Sequence, residues 1–134
     1  TPIVYGPSCK GNFDKIVKLS KFIPLFPSID NKKSMIFIDN LCNLLEKTIL
    51  SEEAGIIYPQ NNEYVSTKDI VKVISELRNK KTYEISIFNP LIKIASKKIK
   101  FINKIFGNKF YDKKLDNFNE YQIYDFKESI KKSI

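Results

Sequence analysis

Short apolar segments typical of β-strands alternate with amphipathic segments of helical period along this chain of 134 residues. Strands are predicted where apolar or alternating runs are bounded by glycine or proline, and helices where apolar residues recur every three or four positions. The predicted strands are residues 3–5, 35–38, 56–58 and 83–87. The alternation predicts an α/β fold, α+β-like as an isolated piece, in a single domain of residues 1–134.

Polar residues at the predicted helix starts support this interpretation. Ser66 with Asp69, and Asp125 with Glu128, have the spacing of a capping box. Asn12 is expected to cap the first helix.

Three further expectations concern the remaining elements. Asp39 or Asn40 is expected to cap a helix whose apolar face includes leucines and Ile49. Residues 25–30 are predicted to form a loop. A helical stretch is predicted over residues 89–107, with a break near Lys97, because Pro90 stands at its start and Gly107 at its end.

Composition excludes several classes of chemistry. The chain has no histidine, which removes Ser-His-Asp and Cys-His catalysis and most zinc sites. Its acidic residues lack the spacing of metal ligands, so no metal is expected. Two cysteines are too few for a disulfide framework, and there is no export signal, so a cytoplasmic protein is expected. No apolar run approaches the ~20 residues that cross a bilayer, and no membrane partner is expected.

The formal net charge of +8 favours anionic partners. Nearly all of the positive charge is lysine, and Arg78 is the single arginine. The densest cluster lies within residues 93–104 and interleaves with isoleucines, as in an amphipathic helix. A basic nucleic-acid- or protein-binding module is therefore an alternative function, although solvated lysines are the simpler interpretation and no nucleic-acid partner is expected.

Four motifs in order give the chain a resemblance to a known family. They are residues 2–7 (PIVYGP), residues 33–41 (KSMIFIDNL), the segment 55–70, and the segment 106–130. Together they resemble the C-terminal part of the NAD-dependent epimerase/dehydratase family, which are extended short-chain dehydrogenases, and are nearest to UDP-glucose 4-epimerase-like members.

The resemblance implies the substrate-binding portion of an enzyme that holds NAD and acts on a UDP-sugar. The chain lacks the glycine-rich pyrophosphate loop of a dinucleotide-binding domain, so no cofactor is expected to bind to it. No catalytic residue is assigned, and the fragment alone is expected to be inactive. The parent enzyme is expected to be a homodimer, and the fragment could self-associate through an exposed apolar face.

The resemblance also implies which residues would bind the nucleotide sugar. Asn12 matches a position that contacts the nucleotide or its pyrophosphate, and Leu25 and Phe26 fall where the family holds uracil. Lys33 stands where most members have an arginine on the diphosphate, and Lys104 lies near a second phosphate-binding position. Each also has a plain structural interpretation: a helix cap, core or loop apolar residues, and solvated lysines.

A Tyr-x-x-x-Lys pattern occurs at Tyr64 and Lys68. In the family this pair carries catalysis on a helix before the strand that matches residues 3–5. Tyr64 instead precedes a predicted helix cap, so this pattern is expected to be unrelated to catalysis.

Overall fold

The structure is a computed structural model and describes residues 2–51, 55–116 and 120–134. Its elements, in chain order, are strand β1 (Ile3–Tyr5), helix α1 (Asn12–Phe22), strands β2 (Leu25–Pro27) and β3 (Met35–Phe37), helices α2 (Ile38–Ser51) and α3 (Thr67–Leu77), strand β4 (Tyr83–Ile85), and helices α4 (Asn89–Lys98), α5 (Lys100–Phe106) and α6 (Phe126–Ser133). A short 3-10 turn, Lys113–Leu115, lies between α5 and α6.

The four strands form two parallel pairs. Strand β1 pairs with β3, with Ile3 opposite Met35 and Tyr5 opposite Phe37. Strand β2 pairs with β4, with Leu25 opposite Tyr83. The fold is therefore mixed α/β with two small parallel sheets, compatible with part of an epimerase domain.

Helix α3 is central to the hydrophobic core because it packs against both α1 and α6. Ile70 and Ile74 on its inner face are completely buried. The Ser66 side chain accepts a hydrogen bond from the backbone N–H of Asp69, and the Asp69 carboxylate accepts one from the Ser66 N–H. The predicted capping box is thus confirmed, and it fixes where this helix begins.

The other capping predictions had mixed outcomes. Asp125 and Glu128 form the second predicted capping box, at the start of α6. The prediction for Asn12 was wrong: Gly11, at φ 151°, occupies the cap position and Asn12 is the first helical residue. The prediction for Asp39 or Asn40 was also wrong, since α2 already begins at Ile38.

Three predictions of regular structure also need correction. Residues 25–27, predicted as loop, form a strand because they pair with a segment more than 50 residues away. Residues 56–58, predicted as a strand, have no regular structure. The predicted apolar face of α2 is largely solvated: Leu44 is buried, whereas Leu45 and Ile49 are exposed.

The predicted helical stretch of residues 89–107 is confirmed, with its break at Ile99, where the backbone is extended between α4 and α5. Within the described ranges, no helix is both long and apolar enough to cross a membrane.

Candidate functional site

A cavity of about 230 Å³ lies where α1, the residues before β3 and the end of α5 meet. Three of the five sequence-predicted binding residues, Asn12, Lys33 and Lys104, line this cavity. The remaining lining residues are Ile3, Asn103, Gly107, Asn108 and Lys109. Three lysines, three asparagines and no acidic side chain therefore surround one small space, which favours an anion.

Lys33 is the unusual residue of this cavity because its side chain is only 2% exposed. Its Nζ donates to the backbone carbonyl of Lys104 at 3.0 Å and to that of Gly107 at 3.3 Å. An ammonium group has three donors, so these two bonds leave one for a ligand.

The electrostatic surroundings of Lys33 disfavour its charged form. Burial, and secondarily the positive charge of Lys109, lower the pKa of the Lys33 ammonium group from 10.5 to about 8. An anion in the cavity would counteract both effects. The cavity therefore contains a buried cation whose charged form an anion would stabilise.

Backbone pairing holds Lys33 in place. Its N–H donates to the carbonyl of Val65 at 3.0 Å, and its own carbonyl accepts from the Val65 N–H at 3.2 Å. On the other side, the Lys109 N–H donates to the carbonyl of Lys32 and the Ser34 N–H donates to the carbonyl of Lys109, both at 2.8 Å. Lys33 is thus fixed between two distant segments.

Asn12 presents its side chain to the cavity from the first turn of α1. Its amide makes no hydrogen bond to any residue that the structure describes. Since Gly11 occupies the cap position, the amide and the N-terminal N–H groups of α1 are available to an anion.

The end of α5 supplies cavity residues that the sequence analysis missed: Asn103, Gly107, Asn108 and Lys109. A Cβ atom at Gly107 would overlap the side chain and carbonyl of Asn103, so only glycine fits there. The buried Asn31 amide donates to the Gly107 carbonyl at 3.1 Å and helps to position it. Gly107 was expected to end a helix, but nothing in the sequence placed these residues next to Lys33.

Leu25 and Phe26 lie in a second cavity, of about 310 Å³. Its lining is entirely apolar and consists of Leu25, Phe26, Pro27, Ile85, Phe88, Leu91 and Ile92. Phe26 is buried, and its ring packs against Phe106 with 5.7 Å between centroids. The structure therefore does not bring Leu25 and Phe26 into the cationic cavity, and their contact with uracil remains a prediction.

Tyr64 and Lys68 have separate partners. The Tyr64 hydroxyl donates to the backbone carbonyl of Tyr111 at 2.6 Å, whereas Lys68 forms an ion pair with Asp30. The hydrogen bond to Asp30 raises the pKa of the Lys68 ammonium group.

A buried polar network surrounds the hydroxyl of Tyr5, the last residue of β1. The Tyr5 hydroxyl contacts the Ser129 hydroxyl at 2.6 Å and accepts from the Asn61 amide at 3.0 Å, and burial raises the pKa of Tyr5. The Asn40 amide donates to Asn61, and its oxygen accepts from the N–H groups of Ile123 and Tyr124. These groups satisfy one another's hydrogen-bonding capacity, which indicates a structural role for the network. Among the described residues, no group of three or more acidic or cysteine side chains could hold a metal ion.

Comparison with known proteins supports a relationship to sugar epimerases. The chain is similar to the UDP-glucose 4-epimerase of Vibrio cholerae, with 36% identity over 90 residues. The match covers 63% of this chain but only 27% of that enzyme, so the chain spans about a quarter of the relative's length. No family model matches the chain.

Proposed function

We propose that this chain is the nucleotide-sugar-binding part of an NAD-dependent sugar epimerase that resembles UDP-glucose 4-epimerase. The observation that carries the proposal is the cationic cavity. Asn12, Lys33 and Lys104 are far apart in the sequence, were selected by resemblance alone, and line one space without acidic side chains. The similarity to the Vibrio cholerae enzyme supports the same assignment.

In this proposal the cationic cavity receives the diphosphate. Lys33 supplies a buried charge, Lys104 a more exposed one, and Asn12 an amide donor. A volume of about 230 Å³ is below the ~300 Å³ at which pockets for drug-sized ligands begin, so the cavity suits the diphosphate rather than the whole nucleotide sugar.

The uracil is proposed to contact the neighbouring apolar cavity at Leu25 and Phe26. Helix α5 connects the two cavities, because Lys104 lines the first and Phe106 packs on Phe26 at the second. Stacking of the flat uracil ring on an aromatic side chain would contribute about 1 kcal/mol to the binding free energy, beyond the contribution of buried apolar area.

The hydride chemistry is proposed to belong to a dinucleotide-binding half of a longer parent enzyme, a homodimer that holds NAD. The chain by itself would bind the nucleotide sugar without converting it. The β1–β3 pair supports a parent of this kind, since parallel strands normally belong to larger sheets that are covered on both faces. Reading the coding DNA upstream of Thr1 tests this part: a glycine-rich loop after an early strand and a Tyr-x-x-x-Lys pair are expected there.

The binding proposal is tested by calorimetric titration of the chain with UDP and with uridine. UDP is expected to bind more tightly than uridine because only UDP fills the cationic cavity. Lys33→Met removes a charge-assisted contact worth about 1.5–3 kcal/mol, so UDP affinity is expected to fall roughly 10- to 100-fold.

Lys32→Met is the matched control, since Lys32 is adjacent, carries the same charge and is exposed. It is expected to leave UDP affinity within about twofold, as a surface charge contributes little. Equal affinity for UDP and uridine, or equal losses in the two variants, would contradict the proposal. Binding of an oligonucleotide in place of UDP would favour the alternative of a basic nucleic-acid-binding module.

A further inference from the structure

A strongly basic segment without acidic residues runs through α4 and α5. Between Glu84 and Asp112 the chain has no acidic residue and six lysines. They are Lys93, Lys97, Lys98, Lys100, Lys104 and Lys109. The described residues form three ion pairs, Lys18–Asp14, Lys68–Asp30 and Lys127–Glu76, and none involves the basic segment. Its positive charge therefore faces solvent without compensation.

The same segment exposes large apolar side chains. Helix α4 has no buried residue, and Leu91 and Ile94, one helical turn apart, are 64% and 61% exposed. Ile87, before the helix, is 75% exposed, and Ile99, after it, is 49% exposed. Surface apolar residues are common when scattered, but exposed Leu91 and Ile94 one turn apart on a lysine-rich helix are a candidate interaction surface.

The chemistry of this surface distinguishes between possible anionic partners. A nucleic acid would call for aromatic rings on which bases stack. The three most exposed apolar side chains of this segment, Ile87, Leu91 and Ile94, are aliphatic and cannot stack on bases. The exposed rings of Phe88 and Phe101 beside them are also of a kind that enters a membrane interface. Lysines beside exposed Leu and Ile are the pattern of a helix that lies in the plane of a membrane interface.

A second feature of this surface is the apolar cavity of about 310 Å³, to which α4 contributes Leu91 and Ile92. The exposed Phe88, before α4, also lines it. The apolar character of this side of the molecule thus continues from the exposed helix into the structure.

We propose that the segment from Ile87 to Lys100 docks on the surface of an anionic lipid bilayer, with Leu91 and Ile94 inserted into the interface. The sequence-based expectation of no membrane partner depended on the absence of an apolar run that crosses a bilayer, and that criterion does not apply to a helix that lies on one. Lys93, Lys97 and Lys98 line neither cavity, so their substitution tests this inference separately from the proposed nucleotide-sugar site. Leu91, by contrast, also lines the apolar cavity that is proposed to contact uracil.

The first experiment is co-sedimentation of the full chain with vesicles of phosphatidylcholine alone or with 30% phosphatidylglycerol, at about 0.1 M salt. Binding is expected only with the anionic lipid and should weaken as salt rises. The triple variant Lys93→Gln, Lys97→Gln, Lys98→Gln is expected to lose about fivefold in partition coefficient per lysine, roughly 100-fold in total.

The matched control is Lys10→Gln, Lys72→Gln, Lys131→Gln, which removes the same charge from exposed positions elsewhere. It is expected to lose less than about threefold, since these lysines belong to other elements than the docking segment and salt screens exposed charges that do not contact the bilayer. Both triple variants are expected to keep wild-type UDP affinity. That readout separates failure of this inference from failure of the proposed function.

The second experiment tests insertion directly and uses the absence of tryptophan from the chain. Ile94→Trp is expected to show a blue-shifted emission with anionic vesicles and quenching by brominated lipid. Ile49→Trp, on exposed α2, is the control and should show neither.

Absence of vesicle binding would overturn the inference, as would equal losses in the two triple variants. So would tighter binding to an oligonucleotide than to anionic vesicles, which would assign the surface to nucleic acid. A dimer in solution that Leu91→Gln abolishes would assign it to a second copy of the chain.

Discussion

The substitution Lys33→Met tests whether the buried ammonium group opposes folding. Methionine is also unbranched and of similar length, but it has neither the charge nor the hydrogen-bond donors of lysine. Wild-type Lys33 is 2% exposed and donates to the carbonyls of Lys104 and Gly107. The substitution therefore removes an unfavourable buried charge and two favourable hydrogen bonds at once.

The sign of the charge effect follows from the two pKa values of Lys33. Its pKa is 10.5 when the side chain is fully solvated, as in the unfolded chain, and about 8 in the folded chain, so the unfolded chain binds more protons between these values. The free energy of unfolding of the wild type should therefore rise as pH rises from 8 to 10.5. The difference between the two pKa values corresponds to a total change of about 3 kcal/mol in the free energy of unfolding, with a slope of about 1.2 kcal/mol per pH unit near pH 9.

The loss of the hydrogen bonds opposes this effect. Without Lys33 the Lys104 carbonyl loses a donor, at a cost of about 1–3 kcal/mol, whereas the Gly107 carbonyl keeps the Asn31 amide. At pH 7 the two effects nearly cancel or leave Lys33→Met more stable than the wild type. At pH 10 the wild-type lysine is neutral and still bonded, so Lys33→Met should be the less stable protein.

The assay is urea unfolding followed by far-ultraviolet circular dichroism between pH 7 and 10. The stability difference between the two proteins is expected to change by about 2–3 kcal/mol over this range and favour the wild type at high pH. Lys32→Met is the control and should follow the wild type at every pH, since Lys32 is exposed. A constant difference between wild type and Lys33→Met across the range would refute the reasoning.

Two further predictions follow from the site and from the fold. If the diphosphate binds beside Lys33, UDP affinity should fall up to about tenfold between pH 7 and pH 9, because the Lys33 ammonium group of the unliganded protein loses its proton near pH 8. Calorimetry of Lys33→Met should show no such fall. Ser66→Ala removes the N-cap of α3, where Ser66 accepts from the Asp69 N–H, and should lower the free energy of unfolding by about 1 kcal/mol in urea titrations. Ser96→Ala, at a partly exposed position of α4, is its control and should change stability by less than about 0.5 kcal/mol.

Local signals in the sequence predicted the helices well. Helix α3 was expected from its apolar period and from the Ser66–Asp69 spacing, and both appear in the structure. The break between α4 and α5 and the end at Gly107 were also expected. These features depend on residues close together in the chain, and such information is present in a short window of sequence.

Strands were predicted less well because their pairing is not local. Pro24 and Pro27 are turn signals at residues 25–27, yet these residues form β2 because β4 is alongside. Residues 56–58 have the β-branched composition of a strand but no strand beside them within the described residues. Strand propensity shows that a segment fits a sheet, not that a sheet is available.

The candidate site was predictable in part. Resemblance selected Asn12, Lys33 and Lys104, which line one cavity, but no sequence pattern predicted that Lys33 would be buried, because lysine is among the residues least often buried. Residues 104–109 cover the Lys33 side chain, and the carbonyls of Lys104 and Gly107 in this segment accept hydrogen bonds from its ammonium group. No spacing rule connects position 33 with a segment some 70 residues later.

Lysine side chains normally stay in solvent, but the fold buries Lys33 at the edge of a cavity. Residues placed against their usual preference in this way concentrate at functional sites. For Lys33, burial is the cause both of the unfavourable charge and of the proposed anion binding. The same burial that lowers its pKa also strengthens its attraction for an anion, because the surroundings screen the charge poorly. A bound diphosphate would restore the ordinary pKa and remove the cost of burying the charge. In the proposed function, ligand binding and folding would be coupled through this one side chain, and the stabilisation by UDP should be greatest below pH 8, where the Lys33 charge is present.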